Sequence, residues 1–161
     1  MSYFDHFGIP SQFKIEPNLL KKRLQELNKE YQPDFYREAY ETLQNEDATI
    51  QYILSQRGML PAGEKYLLDA AFLTKLLDLD ETLWALLGAE PDAEKLTALE
   101  NETREIIKNS RHDVEIILDS DQEGISSEKE LLQVKDYYYR KKYLERILDK
   151  IAALRNIAAR R

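Results

Sequence analysis

The 161-residue chain has no cysteine, only two histidines, five glycines and five prolines, and nowhere do 18 apolar residues follow one another. Without a thiol there can be no disulfide staple, no thiolate-ligated zinc or cluster and no cysteine nucleophile. Without a long apolar run there is no candidate bilayer-crossing helix. The opening Met-Ser-Tyr-Phe-Asp-His carries no basic stretch leading into an apolar one, so a cytoplasmic protein is expected. Positive charge is also short. Lys and Arg number 23 against 30 Asp and Glu, a net −7 that argues against nucleic acid or an anionic membrane surface as principal partner.

Catalytic signatures are missing as well. There is no P-loop, dinucleotide fingerprint or Gly-x-Ser-x-Gly elbow. Tyr3 and Asn109 stand three residues before His6 and His112, where a di-iron helical bundle would need glutamates. The expectation is therefore a non-enzyme with no catalytic residue, metal or cofactor.

What the chain does have is helical periodicity, and the fold class it predicts is all-α. From Asn18 to Gln32, Leu20, Leu24, Leu27 and Tyr31 share a stripe while Lys22 and Lys29 project oppositely; Pro33 stops that helix, since it lacks a backbone donor and disfavours helical geometry before it. A shorter helix over Asp34 to Gln44 follows, with Tyr36, Ala39, Tyr40 and Leu43 as its apolar face and Asp34 able to cap its start. Ile50, Ile53 and Leu54 mark a third helix, ended by Gly58, and 58–64 reads as a linker. Beyond Tyr66 the pattern predicts helices over roughly 69–87, 93–118 and 128–158, lengths that suit a three-helix bundle. Asp92 is a candidate N-cap, and Ser127 with Glu130 has capping-box spacing. The chain thus divides into residues 1–60 and 66–161.

Charge is segregated along the second part. Residues 66–134 hold 6 basic and 17 acidic side chains, whereas 135–161 hold 9 basic and 3 acidic. Packing the last helix on acidic neighbours in antiparallel fashion accounts for Arg140, Lys141 and Lys142; nucleic-acid contact is the alternative. Tyr137, Tyr138 and Tyr139 cannot share one helix face, so at least one is expected to point outward.

The helix from Asp69 to Leu87 carries two apolar stripes. Phe72, Leu76, Leu79, Leu83 and Leu87 form the broad face expected to enter the core. Leu73, Leu77 and Trp84 lie about a quarter-turn away, bordered by Asp78 and Glu81. An apolar strip rimmed by acids suits docking to another protein, because the apolar centre supplies affinity and the charged edge sets orientation. A neighbouring helix could equally cover it.

Several of these residues form a familiar constellation: Tyr3-Phe4, Phe7-Gly8-Ile9-Pro10, Tyr31-Gln32-Pro33-Asp34 after a basic-faced helix, Ile53-Leu54 before Gly58, and Asp69-Ala70-Ala71-Phe72-Leu73 followed by Asp78, Asp80 and Glu81. Across essentially its whole length the chain resembles HscB, the J-domain co-chaperone family of iron–sulfur cluster assembly. The resemblance implies a short J-domain-like helical hairpin in 1–60 that docks on a DnaK/HscA-type ATPase chaperone and stimulates it, plus a C-terminal three-helix bundle in 66–161 that holds an IscU-like scaffold protein. The chaperone-binding positions it implies are Lys22, Lys29, Gln32, Pro33 and Asp34, and the scaffold-binding positions are Leu73, Thr74, Leu77, Asp78, Glu81 and Tyr143.

The chain departs from the family pattern in two places. Gln32 stands where the family has histidine, keeping a hydrogen-bond donor but losing the ring and its titratable charge. The stretch from Asp34 to Leu43 is also shorter than the family's loop plus third J-domain helix. Both changes fall in the chaperone-activating half, so a degenerate J-like protein that binds its client without stimulating ATP turnover is a second reading. A small helical enzyme using the carboxylates of 66–134 is a third.

Overall fold

The computed structural model describes residues 2–27, 33–88, 92–120 and 127–159, apart from the side chains of Pro33, Ala158 and Ala159. Among them are seven helices and no strand: α1 (Tyr3–Phe7), α2 (Pro17–Leu27), α3 (Pro33–Leu43), α4 (Glu46–Gln56), α5 (Ala70–Leu87), α6 (Ala93–Leu118) and α7 (Glu128–Ala159). The fold is all-α, as the periodicity predicts. No described helix is long and apolar enough to cross a membrane.

Local chemistry explains where these helices begin and end. The Asp69 carboxylate accepts from the Phe72 amide at 2.8 Å and starts α5, while Asp92 accepts from the Glu94 amide at 2.9 Å and starts α6. Ser127 and Glu130 form the expected capping box, each side chain accepting from the other's amide at 3.2 Å. At the end of α4, Gly58 takes a φ of 69°; there its amide donates to Ser55 and the Met59 amide to Leu54, closing the last carbonyls as a Schellman motif. Asp34 is not the cap of α3. That helix starts one residue earlier, at Pro33, which places Asp34 in its first turn.

The chain packs as two compact units, Met1–Glu64 with Val114–Tyr138, and Lys65–Asp113 with Tyr139–Arg161. This partition differs from a simple cut between 60 and 66. In the first unit, Phe4, Phe7, Leu20, Leu43, Ile50 and Leu54 are buried together with Val114 and Leu118 from the end of α6 and Leu131 and Val134 from the start of α7. Short helices of 11 residues present too little apolar surface to enclose a core, and the ends of the two long helices complete it. Lys135 is buried here, its ammonium 2.7 Å from the Glu64 carboxylate.

Buried Thr49 ties α4 to the preceding turn. Its hydroxyl lies 2.8 Å from the Asn45 carbonyl and 3.1 Å from the Thr42 carbonyl. Thr49→Val keeps the side-chain shape but removes this donor, so a stability loss of about 1 kcal/mol is expected in chemical denaturation. An unchanged midpoint would show that the hydroxyl adds nothing.

The second unit is the three-helix part. Phe72, Leu79, Leu83 and Leu86 of α5, Leu96 and Leu99 of α6, and Leu144, Ile147, Ile151 and Leu154 of α7 form its core. Ion pairs mark the register. On the α5–α7 side, Arg140 pairs with Asp69 and Lys150 lies 3.7 Å from Asp80, so position n of α5 is level with about n plus 70 of α7, and these two helices run parallel. On the other sides, Lys75 meets Glu102 at 3.0 Å and Arg155 pairs with Glu100. The basic last helix is therefore antiparallel to α6 but parallel to α5, and its cations meet acids of both.

Two details of the sequence reading need correction. Leu87 is exposed, and Leu86 takes its place in the core. In addition, none of Tyr137, Tyr138 and Tyr139 is exposed: Tyr137 and Tyr138 join the first core, whereas Tyr139 stacks on Tyr66 at 4.5 Å in the second.

Candidate docking site

The geometry of α5 decides which of its stripes meets solvent. Leu79 and Leu83 point into the core, and the residues displaced from them by about a third of a turn point out. Leu73 is 43% exposed and Leu77 62% exposed, in a helix whose start is held by the Asp69 cap and by the Arg140 guanidinium 4.7 Å over the Phe72 ring. Asp78 and Glu81 are exposed along one edge of the strip. Thr74 is exposed too, although its hydroxyl proton is engaged by the Ala70 carbonyl at 3.0 Å.

The offset of about 70 residues brings Tyr143 of α7 level with Leu73. Tyr143 is 37% exposed, and the Arg146 guanidinium lies 5.1 Å over its ring. All six positions named for scaffold binding are therefore solvent-facing residues of one unit, with Leu73, Leu77 and Tyr143 as the apolar part and Asp78 and Glu81 as the acidic rim. Chemically this is a surface for apolar contact, its approach biased toward a partner carrying positive charge.

The chaperone-side positions are less completely described. Lys22 is exposed on α2 and Asp34 is exposed in the first turn of α3. Lys29, Gln32 and the side chain of Pro33 lie outside the described residues, as does Tyr31. Of the histidines, His6 packs edge-on against Phe35 at 4.7 Å, a structural setting, and His112 is exposed.

A recess of about 360 Å³ between α5 and α6, walled by Ala85, Leu86, Ala98 and Leu99, bears on the carboxylate-enzyme reading. Its two acids already serve the fold, Asp92 as the cap of α6 and Glu102 as the partner of Lys75. Among the described residues no group of His, Asp and Glu could hold a metal ion. Trp84, on the outward stripe but absent from the set that the family pattern names, is a large side chain left 69% exposed.

The chain is similar to known proteins over much of its length. Residues 68–152, which take in α5, α6 and most of α7, match the family model of the HSCB C-terminal oligomerisation domain. A co-chaperone protein HscB homolog from Aliivibrio fischeri (strain MJ11) is 30% identical over 139 residues, covering 68% of this chain and 81% of the relative. One from Vibrio parahaemolyticus is 30% identical over 102 residues, 52% of this chain and 60% of that one. Among solved structures, the chaperone HscB from Vibrio cholerae matches with a TM-score of 0.68 over 98% of this chain and 99% of that one, at 19% identity, which shows a shared all-α fold. By the family model that spans more than half of it and by its similarity to the Aliivibrio relative, this chain belongs to the HscB family of co-chaperones.

Proposed function

We propose that the chain is a cytoplasmic adaptor that binds an IscU-like iron–sulfur scaffold protein through α5 and α7 and presents it to a DnaK/HscA-type ATPase chaperone, whose ATP hydrolysis it stimulates. In this reading, residues 66–161 form the scaffold-binding part and residues 1–60 the chaperone-facing part. The observation that carries it is the exposure of Leu73 and Leu77 beside Asp78 and Glu81. Apolar side chains held on a well-anchored helix lose little conformational entropy when a partner covers them, so most of the burial energy goes into affinity. Calorimetric titration of an IscU-type scaffold into the chain is expected to give saturable binding. Absence of binding would contradict the adaptor function.

On the chaperone side, Lys22 and Lys29 would meet an acidic surface, with Gln32, Pro33 and Asp34 at the turn. Gln32 favours a second reading, in which the chain binds its client but leaves ATP turnover unchanged. A steady-state ATPase assay with the partner chaperone, comparing wild type with Gln32→His, separates them. Stimulation by both proteins is the result expected of an active co-chaperone; stimulation by the histidine variant alone marks a degenerate one.

A further inference from the structure

The exposed apolar strip does not end at Leu77. One helical stretch further along α5, Trp84 is 69% exposed and Leu87 is also exposed, and Trp84 lies within about 20° of Leu73 around the helix axis at 100° per residue. The α5–α7 register adds a third member. With position n level with about n plus 70, Ile157 of α7 falls level with Leu87, and it too is exposed. This second cluster repeats the arrangement of the first, in which Leu73 and Leu77 of α5 are accompanied by Tyr143 of α7. Between the two clusters sits the Asp80–Lys150 ion pair.

We infer that Trp84, Leu87 and Ile157 form the far half of the scaffold-docking surface, an apolar anchor point that extends the footprint along the α5–α7 seam by about 15 Å beyond Leu77. The inference rests on the scaffold-binding reading. Tryptophan is rarely left this open, because it buries more apolar area than any other side chain and dominates the interfaces where it occurs. The cluster is collinear with the Leu73–Leu77 end and lies on the same two helices, with only the Asp80–Lys150 pair between them, so a single partner seated there reaches it without leaving the seam. The two ends ask for different chemistry. Asp78, Asp80 and Glu81 lie between Leu77 and Trp84 along the helix and suit a partner's basic residues, whereas 82–88 carries no charged side chain and suits an apolar segment. The occupant is accordingly one scaffold molecule presenting an apolar patch with basic residues to the Leu73 end and a neutral apolar segment to the Trp84 end.

Trp84 is the only tryptophan in the chain, which makes it its own reporter. A tryptophan-free IscU-type scaffold is titrated into the full chain while tryptophan emission is followed, and calorimetric affinities are measured for wild type, Trp84→Ala, Trp84→Phe and Leu77→Ala. The inference predicts a blue shift of emission on binding, an affinity about tenfold weaker for Trp84→Ala, and a phenylalanine variant within about threefold of wild type. It is overturned, with the docking reading left standing, if Leu77→Ala weakens binding while emission does not move and Trp84→Ala binds as wild type. Failure of wild type to bind overturns both. A blue shift that appears in the chain alone as its concentration rises would identify a second copy as the occupant and also overturn it.

Discussion

Replacing Leu73 and Leu77 together by alanine is expected to weaken scaffold binding by about 2–4 kcal/mol, a loss on the order of thirtyfold to a thousandfold, while leaving the melting transition nearly in place. Each side chain is a half-open apolar anchor, and truncating such an anchor at the centre of an interface costs about 1–2 kcal/mol. The two residues lie one turn apart on α5, so their effects need not add and the range for the pair is wide. Stability should barely respond, because both are exposed and alanine is a good helix former. Calorimetric titration and thermal unfolding of the same preparation separate these effects. A variant that binds as wild type would remove the strip from the mechanism, whereas one that unfolds would mean that the leucines are structural.

Leu83→Ala should behave in the opposite way. Leu83 is buried on the same helix, in one core with Leu79 of α5 and Ile147 and Ile151 of α7. Alanine there loses the transfer energy of the missing carbons and leaves a cavity, a cost of about 2–5 kcal/mol. For a chain of this size that lowers the thermal midpoint by on the order of 10 °C. At a temperature where the variant is still folded, scaffold affinity should stay within a few-fold of wild type. Taken together, the two variants divide α5 into a face that holds the unit together and a face that is available to a partner.

The second half of the chain was legible in its sequence to within a residue or two, because its helices are long and their starts are marked by capping side chains: Asp69, Asp92 and the Ser127–Glu130 pair. The first half was read less fully. Helix α1 spans five residues, too few for periodicity to register, and its only signals were the reciprocal Ser2–Asp5 cap and Gly8 at a φ of 63°. The misplacement of Leu87 reflects a real ambiguity, since neighbours three and four positions on from Leu83 both lie near its face and only packing against α6 and α7 selects Leu86.

Of the candidate site, Leu73 and Leu77 could be found from spacing alone, as a second stripe outside the core face. Tyr143 could not, because its place beside Leu73 depends on α5 and α7 running parallel, a relation set by the Asp69–Arg140 and Asp80–Lys150 pairs and not by any local pattern. The same register brings Ile157 level with Leu87. The sharing of α6 and α7 between two cores was likewise invisible to a linear reading, which follows helices one at a time and has no means of seeing which neighbours cover them.

The most direct measurement is methyl-resolved NMR of the leucine-labelled chain during titration with an IscU-type scaffold. The account predicts that the Leu73 and Leu77 methyls shift first and most, with Leu79 and Leu83 nearly unmoved. Shifts confined to other surfaces, with the Leu73 and Leu77 signals unchanged at saturation, would contradict it.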